Sequence, residues 1–132
     1  MKVYSKWSIK DDNGYWAYVV DQSDGVSCSW GKSDNTDGNY LELFAIYSAL
    51  KIISSNCIIC SNNEFIINGV QTHCKNWHDN NWQSKNFKQI KYKELWETLY
   101  NNKYTMEFDK DIINNKYTEM ANIIVEELTG IV

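Results

Sequence analysis

Proline is absent from this 132-residue chain, and with it any proline-rich linker that would divide the sequence into separate units. Long apolar runs are missing as well. No stretch approaches the roughly 20 residues that a membrane-spanning helix needs, and the opening Val3-Tyr4-Ser5-Lys6-Trp7 has neither the apolar core nor the small-residue cleavage site of a secretory leader. These absences predict an intracellular, cytoplasmic protein with no membrane partner. Cysteine is sparse, and Cys28, Cys57, Cys60 and Cys74 are expected to be free thiols in such a reducing compartment. Positive charge is not in excess either. Thirteen basic side chains face 17 acidic ones for a net charge of −4, so the average surface repels phosphate and argues against a simple nucleic-acid binder. What is present, 43% hydrophobic and 23% charged residues, is ordinary for a globule. The length suits one domain over residues 1–132, burying about two thirds of its unfolded surface.

Residues 3–7, 15–20 and 26–30 are rich in aromatic and β-branched side chains or alternate apolar with polar, and Asp11-Asp12-Asn13-Gly14 and Ser23-Asp24-Gly25 lie between them as turns. They predict an antiparallel meander. After a polar loop at 32–39, Leu41, Leu43, Phe44, Ile46, Tyr47, Leu50 and Ile53 have helical spacing and are apolar almost all round, which predicts a buried helix. The short apolar run Cys57-Ile58-Ile59-Cys60 predicts a central strand covered on both sides. Helical spacing returns at 63–74 and 92–100, separated by a polar corner flanked by Trp77 and Trp82. A strand at 104–108 and a helix at 115–128, with Met120, Ile123, Ile124 and Leu128 on one face, complete the chain. The predicted fold class is α/β, with element order βββαβαα(α)βα.

Cys57-x2-Cys60-x12-His73-x4-His78 satisfies the spacing of a two-Cys, two-His zinc finger. The pair, however, brackets Ile58-Ile59 in a strand. Residues three apart on a strand point to opposite faces, so the two thiolates could not converge, and no zinc is expected.

A second pattern covers nearly the whole chain. The element order, the segment Thr36-Asp37-Gly38-Asn39-Tyr40-Leu41-Glu42-Leu43, the stretch from Ser61 to Gly69, the Trp77 to Trp82 corner with the Lys93-Glu94-Leu95-Trp96 helix start, and Asn114-Asn115-Lys116-Tyr117-Thr118-Glu119-Met120-Ala121 together resemble type 1 ribonuclease H. That resemblance implies a ribonuclease H-like mixed five-stranded sheet, its first three strands antiparallel, flanked by helices, with a handle-like helical corner at about 75–93. It also implies cleavage of the RNA strand of an RNA/DNA hybrid by two Mg²⁺ ions held by four carboxylates. In register with those carboxylates stand Lys6, Glu42, Asn62 and Thr118, so only Glu42 survives. The loop that carries the family's mobile His is shortened to Lys110-Asp111-Ile112-Ile113.

Mg²⁺ needs anionic oxygen, and an ammonium at Lys6 opposes it. The expectation is therefore a catalytically inactive ribonuclease H-like domain with no cofactor, in which Glu42 pairs with Lys6. Mg²⁺ or Mn²⁺ would enter only if Asp11, Asp12, Asp109 and Asp111 rebuilt a site. An active form would cut RNA/DNA hybrids. Residues 82–93 carry four lysines and no acid, with aromatics interleaved. With Asn39 and Lys75, the residues Trp77, Trp82, Lys85, Lys88, Lys91 and Lys93 are the candidates for gripping a hybrid or double-stranded RNA. For the two Trp residues, packing of the corner is a commoner role than stacking on a base. The alternative partner is a protein, with the chain acting as a subunit of a replication, transcription or reverse-transcription assembly or as a viral or mobile-element effector.

Overall fold

In the computed structural model, which describes residues 1–84, 86–112 and 115–130, the apolar alternation of the first third becomes a meander of three strands, β1 (Lys2–Lys10), β2 (Asn13–Gln22) and β3 (Gly25–Ser33). β1 runs antiparallel to β2 from Lys2↔Asp21 to Lys10↔Asn13, and β2 to β3 from Gln22↔Gly25 to Gly14↔Ser33. Asp11 and Asp12 join the first pair with φ of 52° and 62°. Positive φ at both central residues gives the turn whose twist matches paired strands. All three strands outrun the apolar stretches that predict them, because hairpin pairing carries extended backbone into the polar residues beyond.

Helix α1 (Gly38–Leu50) crosses over to β4 (Cys57–Cys60), which lies parallel to β1 through Lys2↔Ile58 and Tyr4↔Cys60. Helices α2 (Glu64–Asn68), α3 (Cys74–Asp79) and α4 (Lys93–Asn101) follow, then β5 (Met106–Asp109), parallel to β4, and α5 (Lys116–Thr129). The result is a mixed five-stranded sheet in the order β3-β2-β1-β4-β5. No helix among the described residues is long and apolar enough to cross a membrane.

Alternation along the central strands sorts the core into two layers. Val3, Val20, Cys57 and Ile59 pack under α1 and α4, whereas Tyr4, Val19 and Cys60 pack under α5 around Ala121. Cys57 and Cys60 thus face opposite sides of the sheet, and the finger spacing brings no metal ligands together. All four cysteines are free thiols. The buried stripe of α5 is rotated from the predicted one. Ala121, Val125 and Thr129 are buried, while Met120 and Ile123 are exposed. The small Ala121 lets the helix approach the sheet closely, and the bulkier residues turn outward.

Between α2 and α3 the helical path continues through a π-turn, Gly69–His73, instead of ending. A Cβ on Gly69 would collide with the indole of Trp96, itself buried in the core. Gly69→Ala gains about 1 kcal/mol of helix propensity but overpacks a rigid ring, at about 1–3 kcal/mol. Since the clash is with a fully buried ring, the loss is expected to win. Urea denaturation should show Gly69→Ala less stable than the parent, and equal or greater stability would mean that Trp96 can move.

Candidate functional site

Glu42 sits in the second turn of α1, whose first turn is capped by the Asp37 carboxylate accepting from the Asn39 N–H at 3.0 Å. Directly after β4, Ser61 is 2% exposed, and its hydroxyl donates to Glu42 Oε2 at 2.9 Å while accepting from the Asn63 N–H at 3.1 Å. Asn63 caps α2 and donates through Nδ2 to Asn39 Oδ1 at 3.0 Å. A closed chain, Asn39–Asn63–Ser61–Glu42, therefore ties the start of α1 to the end of β4. Asn62, between Ser61 and Asn63, points to solvent.

The expected Glu42–Lys6 ion pair does not form. Among the described residues no carboxylate oxygen lies within the 4.0 Å of Lys6 Nζ that defines an ion pair. The reason is placement. Lys6 pairs with Ala17 in the sheet and lines a cavity of about 490 Å³ shared with α5, whereas Glu42 belongs to α1 and is held by Ser61. Burial pushes the Glu42 carboxyl above its ordinary value, and the Ser61 hydroxyl, Asn63 and the Lys6 charge, which all favour the anion, do not cancel that rise. Thr118, on the first turn of α5, borders the same cavity with its Oγ1 buried and without a hydrogen-bond partner among the described residues.

The donor chemistry here does not fit a pair of Mg²⁺ ions. Around Glu42 stand an ammonium, an amide and a hydroxyl where hard cations need carboxylates. The other acids do not rebuild a centre. Asp11 and Asp12 occupy the tip of the first hairpin, Asp109 accepts from the Asp111 N–H at 2.9 Å, and no three His, Cys, Asp or Glu side chains converge on one point among the described residues.

The lysine-rich corner is a second surface. Trp82 is 7% exposed in the main core, and Trp77 is half-buried, 5.7 Å from both His73 and Trp96 by ring centroid. Both indoles pack the corner, so Trp82 in particular offers no face to a base. Lys75 is paired with Asp79 at 3.2 Å and Lys93 with Glu97 at 3.9 Å. Lys88 and Lys91 are exposed and have no carboxylate partner among the described residues, and Lys91 lies over the Tyr92 ring at 5.1 Å. Lys85 lies outside the described residues, as do Ile113 and Asn114.

Sequence reasoning passes over Phe87, which is 78% exposed at φ 60° in a tight turn. Ser84 builds that turn, its carbonyl accepting from the Phe87 N–H at 2.9 Å and its hydroxyl from the Lys88 N–H at 3.2 Å. An aromatic ring in left-handed backbone is uncommon and is held there by its surroundings. Ser61 and Asn63 are also missed as site residues, since neither is an acid and the family resemblance draws attention only to their neighbour Asn62.

The architecture agrees with that of known proteins. A Wolbachia ribonuclease H (Wolbachia sp. subsp. Drosophila simulans, strain wRi) is 28% identical over 120 residues, 86% of this chain and 83% of the relative. LC9-RNase H1, described as a type 1 RNase H with the type 2 active-site motif, superposes with a TM-score of 0.66 at 14% identity, covering 98% of this chain and 71% of that one. The foamy viral protease-reverse transcriptase in complex with RNA/DNA hybrid matches with a TM-score of 0.68 at 14% identity, over 99% of this chain and 20% of that one. Finally, the family model for RNase H matches residues 2–128, nearly the full chain, and on that match the chain belongs to the ribonuclease H family.

Proposed function

We propose that this domain binds RNA/DNA hybrid or a related duplex without hydrolysing it by the two-metal route of its family. The observation that carries the reading is the donor set. Lys6, Asn62 and Thr118 stand at three of the four carboxylate positions, and the remaining Glu42 is turned inward onto Ser61. Two-metal hydrolysis depends on anionic ligands that position both ions, and one carboxylate cannot hold two.

Binding is supported from two sides. A structural neighbour is described in complex with RNA/DNA hybrid, and the corner presents Lys88, Lys91 and the projecting Phe87 together. Lysines of this kind neutralise backbone phosphates, and an exposed ring stacks on an unpaired or terminal base. A second reading, docking to a protein, is favoured by Val26 and Trp30, which are exposed on the free edge strand β3. Edge strands with apolar side chains are templates for pairing with another chain.

A hybrid-cleavage assay in Mg²⁺ and in Mn²⁺ should show no turnover. Cleavage that disappears in Glu42→Gln would instead establish an active site rebuilt around that residue. Fluorescence anisotropy with a labelled hybrid, titrated between about 50 and 200 mM salt, should show binding that weakens as salt rises. Lys88→Glu with Lys91→Glu should lower the affinity and flatten the salt slope by about one per lost phosphate contact. Phe87→Ala should cost about 1–3 kcal/mol if the ring stacks on a base. No binding at the lowest salt would leave the protein-docking reading.

Glu42 yields a stability test of its own. Its folded pKa is raised, so the protonated form favours folding, fully so below the unfolded value of about 4.3, and this contribution is lost as pH rises through the folded value. Glu42→Gln, uncharged and still able to accept from Ser61, should therefore raise Tm near neutral pH, with the gain shrinking as the pH is lowered toward the unfolded carboxylate value. A lower Tm near neutral pH would mean that the anion is held favourably.

A further inference from the structure

We infer that the cavity between β1 and α5, where the family places metal ions, is in this chain a phosphate site that uses the Lys6 ammonium as its fixed cation. The inference rests on the nucleic-acid reading and specifies which group of the ligand is held and how. The cavity, about 490 Å³, is lined by Lys6 from β1, by Ile112 and the N-cap Asn115 ahead of α5, and by Lys116, Thr118, Glu119 and Asn122 from the helix itself. Two ammonium groups face one carboxylate, Glu119, which is exposed, so the lining is net cationic.

The neighbouring polar groups are mostly engaged elsewhere. Asn115 Oδ1 accepts from the Tyr117 and Thr118 N–H groups and its Nδ2 donates to the Tyr4 hydroxyl at 3.3 Å, while Asn122 Nδ2 donates to Glu126 Oε1 at 3.0 Å. Lys116 lies 5.0 Å from the Tyr117 ring centroid and keeps its ammonium free of carboxylate partners among the described residues. Two groups stay uncommitted at the centre. Among the described residues Lys6 has no ion pair, and the buried Thr118 hydroxyl has no hydrogen-bond partner. A buried hydroxyl without a partner costs free energy that a bound acceptor removes.

A phosphate oxygen is an acceptor for both groups and carries the charge that Lys6 lacks. A divalent cation would meet Lys6 as a like charge and find no carboxylate on β1. The family's recognition of phosphate through bound metal is thus replaced by direct contact with an ammonium, and the association becomes independent of divalent ions. The phosphate can come from the backbone of a duplex or from a free anion, and the test separates the two.

Inorganic phosphate is titrated in EDTA into ¹⁵N-labelled protein, and hybrid binding is followed by anisotropy in EDTA and in Mg²⁺. Lys6→Met keeps the stem and removes the charge, Lys6→Arg keeps the charge, and circular dichroism checks that both fold. Expected are phosphate-dependent shifts of the Thr118 and Lys116 amides in the parent and in Lys6→Arg but not in Lys6→Met, hybrid affinity equal in EDTA and Mg²⁺, and a salt slope lower by about one in Lys6→Met. Shifts with phosphate but no hybrid binding support the pocket as a free-anion site and overturn the nucleic-acid reading. Hybrid binding that needs Mg²⁺, or that Lys6→Met leaves unchanged while Lys88→Glu with Lys91→Glu weakens it, overturns the pocket and leaves that reading intact. Absence of phosphate shifts in the parent overturns the pocket whatever the hybrid does.

Discussion

The parallel pairing of β1 with β4 is the constraint on which the other features depend. Three residue pairs, from Lys2↔Ile58 to Tyr4↔Cys60, hold the two strands side by side at the centre of the sheet. Because they run the same way, their C-terminal ends emerge together, and Lys6, Ser61, Asn62 and Asn63 come to one edge of the molecule. A parallel pair needs a crossover, which α1 supplies, and burial on both faces, which α1 and α5 supply together. Glu42 and Thr118 reach the same edge because these covering helices carry them there.

The apolar pattern made most of this legible. The four-residue run at Cys57–Cys60 could be read as a doubly covered strand, and the helix at 41–53 as buried, because each is apolar on every side. Reading β4 as a strand was also enough to separate Cys57 from Cys60 and dissolve a metal-binding spacing that matches by coincidence. The facing of α5 was less legible. Its bulkiest residues mark one stripe and its smallest, Ala121, marks the one that is buried, since closeness to a sheet selects for small size as much as for hydrophobicity. Side-chain partners were least legible of all. Opposite charges at Lys6 and Glu42 invite a pairing that the fold prevents, because a neutral hydroxyl from Ser61 stands nearer to the carboxylate.

The site and the corner are linked by chemistry of opposite kinds. At the strand ends stands a polar chain of amide, hydroxyl and one reluctant carboxylate, with an ammonium to one side. At the corner, the indoles that look suited to ligand contact are spent on packing, and the exposed ring is Phe87, set by a turn that Ser84 organises. An overall negative protein can therefore still present cationic ground in two places, since charge acts over about 8 Å at physiological salt and the total matters less than its distribution.

The π-turn at Gly69–His73 has a consequence for how chain length can vary in this region. Such a turn holds one residue more than the α-helical turn it replaces, and its wider winding absorbs that residue, so the helices on either side keep nearly the phase of an unbroken helix. Deleting one residue there would let an unbroken α-helix form while leaving α3, and the corner it leads into, on nearly the same bearing over the sheet. Loss of a single residue from this short stretch would thus be taken up as slack in a cable is, leaving Phe87 and its lysines where they are without touching a residue of the sheet.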